Sequence, residues 1–200
     1  MNQYLQFTSF IDGDHPMVAA KAAALARDCV SQHDIVASCF EFVRDSIKHS
    51  RDYDLNPVTC RASDVLEHGT GYCYAKSHLL AALLRANGIP TALCYQRLTV
   101  DLEGPPFCLH GLNAVYLEDH GWYRIDARGN KPGVNAQFTP PVEMLAFPIL
   151  GKQERDLPEL WPEPLPQVVD VLMRCRTVQE VAEAFPDIGL LPAHAGEGSR

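Results

Sequence analysis

The sequence predicts a single α+β domain in which N-terminal helices and a central helix pack on an antiparallel sheet. A chain of 200 residues with 46% hydrophobic content suffices for one well-buried domain. Apolar residues recur at helical spacing as far as Ala86, and the period becomes strand-like after Pro90. We expect residues 1–138 to form the core, and residues 139–200 to add a proline-rich wrap and short helices to the same domain.

Two helices open the predicted fold. The first covers residues 17–29 and follows Asp14, which is placed to cap its N-terminus. The second covers residues 34–50 and carries its apolar side chains on one side. The polar residues 51–60 then form a surface loop long enough to line a cleft.

The segment 69–90 combines a candidate nucleophile with a helix. Glycines free the backbone before Cys73, apolar residues then recur at helical spacing, and Gly88 and Pro90 end the pattern. This pattern predicts an amphipathic helix that begins at Cys73. Unpaired N–H groups and the positive end of the macrodipole favour thiolate over thiol in the first turn of a helix.

Three strand-like runs follow the helix, at residues 91–100, 109–117 and 122–127. The four residues between the last two runs suit a hairpin turn, so these strands are expected to pair antiparallel. The helix therefore carries the thiol, and the sheet carries any group that activates it.

His110 and Asp126 are the candidate partners of Cys73. An imidazole can take the proton of a thiol and later protonate a leaving group, while a carboxylate behind the imidazole fixes its tautomer. In a symmetric hairpin centred on His120, Asp126 shares a face with His110 but lies about 13 Å along the strand. Asn130 lies opposite His110 in that register, and its amide is the alternative orienting group.

Other cysteines and histidines favour structural roles. His68, Cys73 and His78 have spacings that do not place them on one helix face, so a zinc site is weakly supported and we expect no metal or cofactor. Five more cysteines lie in apolar surroundings and are expected to act as small hydrophobic residues: Cys29, Cys39, Cys94, Cys108 and Cys175.

Charge and hydropathy exclude several partners. The formal net charge of −8 argues against a nucleic-acid partner. The N-terminus lacks the pattern of a secretory signal, and no run of apolar residues is long enough to span a membrane. We therefore expect a cytoplasmic protein with reduced cysteines and no membrane association. The sequence leaves the oligomeric state undetermined.

Taken in order, the segments 71–90, 110–117 and 122–127 resemble the transglutaminase-like superfamily, and residues 40–47 resemble the helix that precedes its core. The resemblance implies a papain-like fold with Cys73 as nucleophile, His110 as base and Asp126 as the residue that orients the base. Leu112 departs from the family, because many members carry tryptophan at that position.

The superfamily includes peptidases, amidases and protein cross-linkers, all of which act through an acyl-cysteine. The resemblance implies first a cysteine-dependent hydrolase of a peptide or other amide. Two alternatives remain open: an acyltransferase that passes the acyl group to an amine, and a non-catalytic binding module of the same fold. Cys73 N–H is expected to hold the oxyanion together with a second donor that the sequence does not identify.

Overall fold

A central helix, α5 (Cys73–Ala86), organises the fold. In the computed structural model, which describes residues 1–100 and 104–188, every residue from Cys73 to Arg85 is buried. N-terminal helices pack against one side of α5, and strands of a sheet pack against the other. The sequence correctly predicts both ends of α5. An amphipathic helix would expose one face to solvent, but α5 does not, because other elements cover it on both sides.

The N-terminal half is helical, with two differences from the predicted bounds. The first helix begins after His15, and Asp14 does not cap it. The second stops short of the predicted end because Lys48–His49 (β1) leave the helix and pair in parallel with Thr70–Gly71 (β2). The helical elements are α1 (Pro16–Ala26), α2 (Gln32–Glu41), a π-helical turn (Phe42–Ser46), α3 (Ser50–Tyr53) and α4 (Ala62–His68).

The three predicted strands and a short fourth strand that was not predicted form an antiparallel sheet, with the order β5-β4-β3-β6. Its strands are β3 (Thr91–Thr99), β4 (Phe107–Leu117), β5 (Gly121–Ile125) and β6 (Arg155–Asp156). The short strand β5 ends opposite Asn113. The first half of β4 therefore has no strand partner on that side, and this open edge is where the candidate site forms.

The hydrophobic core lies mainly between the helices and the sheet. A smaller cluster covers the opposite face of the sheet, where Ala92, Cys94, Leu112 and Ala114 are buried. Tyr4 from the N-terminus and Leu160 from the C-terminal region pack on that cluster. Segments from the N-terminus and from the C-terminal region thus help to enclose the sheet.

The C-terminal region is extended at first and then forms the two predicted helices, α6 (Pro166–Arg174) and α7 (Val178–Glu183). Thr177 caps α7, because its side chain accepts a hydrogen bond from the backbone N–H of Glu180 at 3.2 Å. Buried valines of both helices join the main core. The division of the chain into residues 1–138 and 139–200, as parts of one domain, stays a prediction.

Candidate active site

Cys73 is the first residue of α5, and its sulfur lies at the open edge of β4. The preceding residue, Tyr72, is extended, so the helix begins abruptly at the cysteine. The backbone N–H of Gly111 points to Cys73 Sγ at 3.5 Å. Because Cys73 begins the helix, its own N–H has no partner within α5 and can face a bound group.

Gly111 allows the close approach between α5 and β4. A Cβ atom at this position would lie 3.1 Å from the backbone Cα of Tyr74, which is tighter than ordinary van der Waals contact. The Tyr74 hydroxyl also donates to the carbonyl of Leu109 on the same strand. A lone glycine within a strand pattern is the sequence signal for such an approach, and our sequence analysis gave it no role.

His110 and Asp126 form a buried hydrogen-bonded pair. His110 Nε2 lies 2.8 Å from Asp126 Oδ2, and the two residues are 4% and 1% exposed. Two backbone N–H groups also donate to the carboxylate, that of Ala146 to Oδ2 at 3.0 Å and that of Arg128 to Oδ1 at 3.1 Å. The carboxylate is therefore held in position from three directions.

The predicted hairpin register is wrong, and the difference brings this pair together. Leu117 pairs with Gly121 and Asn113 with Ile125, so the hairpin is centred one residue earlier than predicted. Asp126 then lies two residues, rather than four, from the position opposite His110. Two residues span about 7 Å along a strand. Since the strand has ended at Ile125, Asp126 is free to turn toward the imidazole.

Asn130 does not orient His110. Its side chain bonds both backbone groups of Ala136, accepting from the N–H at 2.8 Å and donating to the carbonyl at 3.3 Å. The chain leaves the sheet after Ile125, so the ideal register that placed Asn130 opposite His110 does not extend that far. Asn130 instead fixes the loop that follows β5.

Electrostatics in the site favour a charged imidazole. Burial alone would lower the pKa of His110, but the charges of Asp126 and Cys73 and the hydrogen bond with Asp126 raise it from 6.5 to about 10. Burial opposes ionisation of Asp126 as well, yet the His110 charge and the surrounding hydrogen bonds hold the pKa of its carboxyl below 3.8. At neutral pH the pair is thus an imidazolium beside a carboxylate.

A cleft of about 1010 Å³ opens over Cys73 and His110. Phe147 packs edge-on against the His110 ring, with centroids 5.0 Å apart, and the Arg128 guanidinium carbon lies over the Phe147 ring, 5.4 Å from its centroid. Other lining residues come from six parts of the chain: His49, Arg51, Tyr72, Leu98, Cys108, Leu150 and Phe185. No sequence motif marked the contributions of Ala146 and Phe147, which depend on the path of the C-terminal region.

Cys108 lies in the same cleft as Cys73 but in a different environment. Burial, followed by the charge of Cys73, raises the pKa of the Cys108 thiol to about 12. Cys108 therefore remains protonated at neutral pH and serves as a natural comparison for Cys73. All seven cysteines are free thiols.

The residues considered for zinc do not come together. His78 Nδ1 lies 2.7 Å from the carbonyl oxygen of Cys60, while His68 is exposed at the end of α4. Among residues 1–100 and 104–188, no group of three or more metal-binding side chains could hold an ion. None of the helices described in this structure has both the length and the hydropathy needed to cross a membrane.

The chain belongs to the transglutaminase-like superfamily, whose core model matches residues 19–127. Its fold is similar to that of a candidate cysteine protease from Cytophaga hutchinsonii, at 20% identity and a TM-score of 0.50 over 62% of this chain and 40% of the other. The periplasmic domain of TgpA from Pseudomonas aeruginosa matches at 20% identity and a TM-score of 0.46, over 62% of this chain and 45% of that one. The similarity thus spans less than half of either structure's own chain. No curated protein matches this chain.

Proposed function

We propose that this protein is a cysteine-dependent hydrolase that cleaves a peptide or other amide through an acyl-cysteine intermediate. The observation that carries the proposal is the buried His110–Asp126 pair, 2.8 Å apart, in one cleft with a cysteine at a helix N-terminus. The description of the Cytophaga protein as a candidate cysteine protease agrees with this reaction class.

In the proposed acylation step, the Cys73 thiolate attacks the amide carbonyl carbon and forms a tetrahedral intermediate. The His110 imidazolium gives its proton to the amide nitrogen, the carbon–nitrogen bond breaks, and the amine leaves. The Asp126 carboxylate keeps the imidazole oriented and stabilises its positive charge. The backbone N–H of Cys73 is one donor to the oxyanion.

In the proposed deacylation step, His110 takes a proton from water as the water oxygen attacks the thioester carbonyl. The carbon–sulfur bond then breaks and returns the Cys73 thiolate together with the His110 imidazolium. An amine in place of water would give acyl transfer with the same residues, so the acceptor distinguishes the two reactions.

The test is acylation by p-nitrophenyl acetate followed by mass spectrometry of the intact protein and its peptides. We expect one acetyl group, on Cys73, and its loss in Cys73→Ala but not in the matched variant Cys108→Ala. Release of acetate with water alone supports a hydrolase. Turnover only in the presence of an added primary amine would instead support an acyltransferase, and no acylation of Cys73 would contradict both.

A further inference from the structure

His49 is a histidine of the cleft to which the proposed reaction has so far given no role. It lies on β1 and pairs with Gly71, two residues before Cys73. Its ring packs edge-on against Tyr72 at 5.6 Å between centroids, and it lines the cleft together with Cys73 and His110. The short β1–β2 ladder thus places His49 beside the nucleophile although the two are far apart in sequence.

The His49 imidazole is buried and lacks a hydrogen bond. The residue is 6% exposed, and Nδ1 has no hydrogen-bond partner in the described part of the chain. The nearest carboxylate oxygen, Asp52 Oδ2, is 3.7 Å from Nδ1 and beyond hydrogen-bonding distance. Nδ1 therefore faces Asp52, and Nε2, the other ring nitrogen, is the one left to meet a ligand in the cleft that His49 lines.

Asp52 does not compete strongly for the ring hydrogen of His49. Its carboxylate already accepts hydrogen bonds from both terminal nitrogens of Arg128, at 2.5 and 3.0 Å, and from Lys131 at 2.7 Å. Two cations therefore balance the charge of this carboxylate. The hydrogen of the neutral His49 ring is not fixed on Nδ1 and can be carried by Nε2.

The ring is neutral at neutral pH. Burial, and then the positive charge of Arg128, lower the pKa of His49 well below 6.5. A neutral imidazole can donate one N–H to a developing oxyanion without transferring its proton. This property separates His49 from His110, which is charged and acts on the leaving group.

We propose that His49 is the second oxyanion donor, and that its Nε2–H binds the substrate carbonyl oxygen while Cys73 Sγ attacks. The negative charge of the tetrahedral intermediate then lies between this donor and the Cys73 backbone N–H. The inference rests on the proposed function, because only acyl chemistry creates this oxyanion. It names His49 as a catalytic residue and adds no covalent step.

Two reagents separate this role from a structural one. Acylation by p-nitrophenyl acetate passes through an oxyanion, whereas alkylation by iodoacetamide displaces iodide and forms none. We expect His49→Leu to slow acylation of Cys73 by about 100- to 1000-fold, the usual effect of losing one oxyanion donor. The alkylation rate of Cys73 should remain that of the wild type, and urea unfolding checks that the fold is retained.

A matched pair of amide variants tests the position of the donor. The amide nitrogen of His49→Gln reaches the place of imidazole Nε2, whereas that of His49→Asn reaches only the place of Nδ1. We expect His49→Gln to keep a substantial part of the acylation rate and His49→Asn to lose it. This comparison decides the proposal even if His49→Leu does not fold.

Three results would overturn the proposal. Equal acylation by His49→Gln and His49→Asn at the wild-type rate would show that no donor is needed at Nε2. Parallel loss of acylation and alkylation would show that His49 acts on the Cys73 sulfur instead. Failure of the wild-type protein to acylate Cys73 at all would contradict the proposed function itself, and with it the role of His49.

Discussion

Replacing Asp126 with asparagine tests the electrostatic basis of the site. The carboxylate accepts from His110 and Ala146 through Oδ2 and from Arg128 through Oδ1. In Asp126→Asn the oxygen can still face the imidazole, but the amide NH₂ then faces the backbone N–H of Arg128. One buried donor loses its acceptor, which costs about 1–3 kcal/mol of folding free energy.

The larger effect is on the charge of His110. Burial is the largest influence on the His110 ring and lowers its pKa, so loss of the Asp126 charge should lower that pKa from about 10. A smaller fraction of His110 is then charged, and less positive charge lies beside the Cys73 sulfur. We therefore expect alkylation of Cys73 at pH 7 to slow by at least about tenfold, the effect of about 1.4 kcal/mol of lost charge interaction.

The assay combines two measurements on Asp126→Asn. Histidine NMR titration reports the pKa of His110 directly, with His110→Gln to assign the signal, and iodoacetamide alkylation reports the thiolate. Asp119→Asn is the control, because that carboxylate is 70% exposed in the hairpin turn. A His110 pKa that stays near 10 in Asp126→Asn, with an unchanged alkylation rate, would refute the reasoning.

Three further variants test how the fold supports the site. Gly111→Ala should lower stability to urea by about 1–3 kcal/mol and slow Cys73 alkylation, because the new Cβ meets the backbone of the helix; unchanged values would contradict the close approach. Arg85→Leu should cost at least about 3 kcal/mol, since the buried guanidinium bonds carbonyls of three separate segments, and Arg85→Lys should recover little of it. Burial lowers the pKa of Lys76 from 10.5 to about 7, so between these two pH values the unfolded chain binds more protons than the folded protein. The stability of the wild type relative to Lys76→Met should therefore rise above pH 7, by up to about 1.4 kcal/mol per pH unit, and a constant difference would contradict the buried lysine.

Local signals in the sequence predicted α5 and the three main strands well. Gly88 and Pro90 end the helix by backbone geometry alone, and the change of period after them marks the sheet. These features need no knowledge of distant residues.

The hairpin register could not be predicted as reliably, because it depends on the conformation of the turn. A shift of its centre by one residue changed the offset between His110 and Asp126 from four positions to two. The resemblance to the transglutaminase-like superfamily favoured Asp126, while ideal strand geometry pointed to Asn130. In the structure it is Asp126 that is hydrogen-bonded to His110.

The burial of polar residues on α5 could not be predicted from the sequence either. Lys76, His78 and Arg85 are polar residues of the predicted helix, yet all three are buried and bond backbone carbonyls. Periodicity shows which side chains share a face but not whether another segment covers that face. The same limit hid His49, whose place beside Cys73 depends on a two-residue strand.

The most direct test of a Cys73 nucleophile is the order in which the seven cysteines react with iodoacetamide at pH 7. Exposure alone favours Cys29 and Cys175, which are only partly buried, over Cys73, which is 7% exposed. We predict the opposite order, with Cys73 alkylated at least about tenfold faster than any other cysteine, and we predict that His110→Gln removes this advantage. Alkylation of Cys73 no faster than of Cys29 and Cys175 would contradict the account.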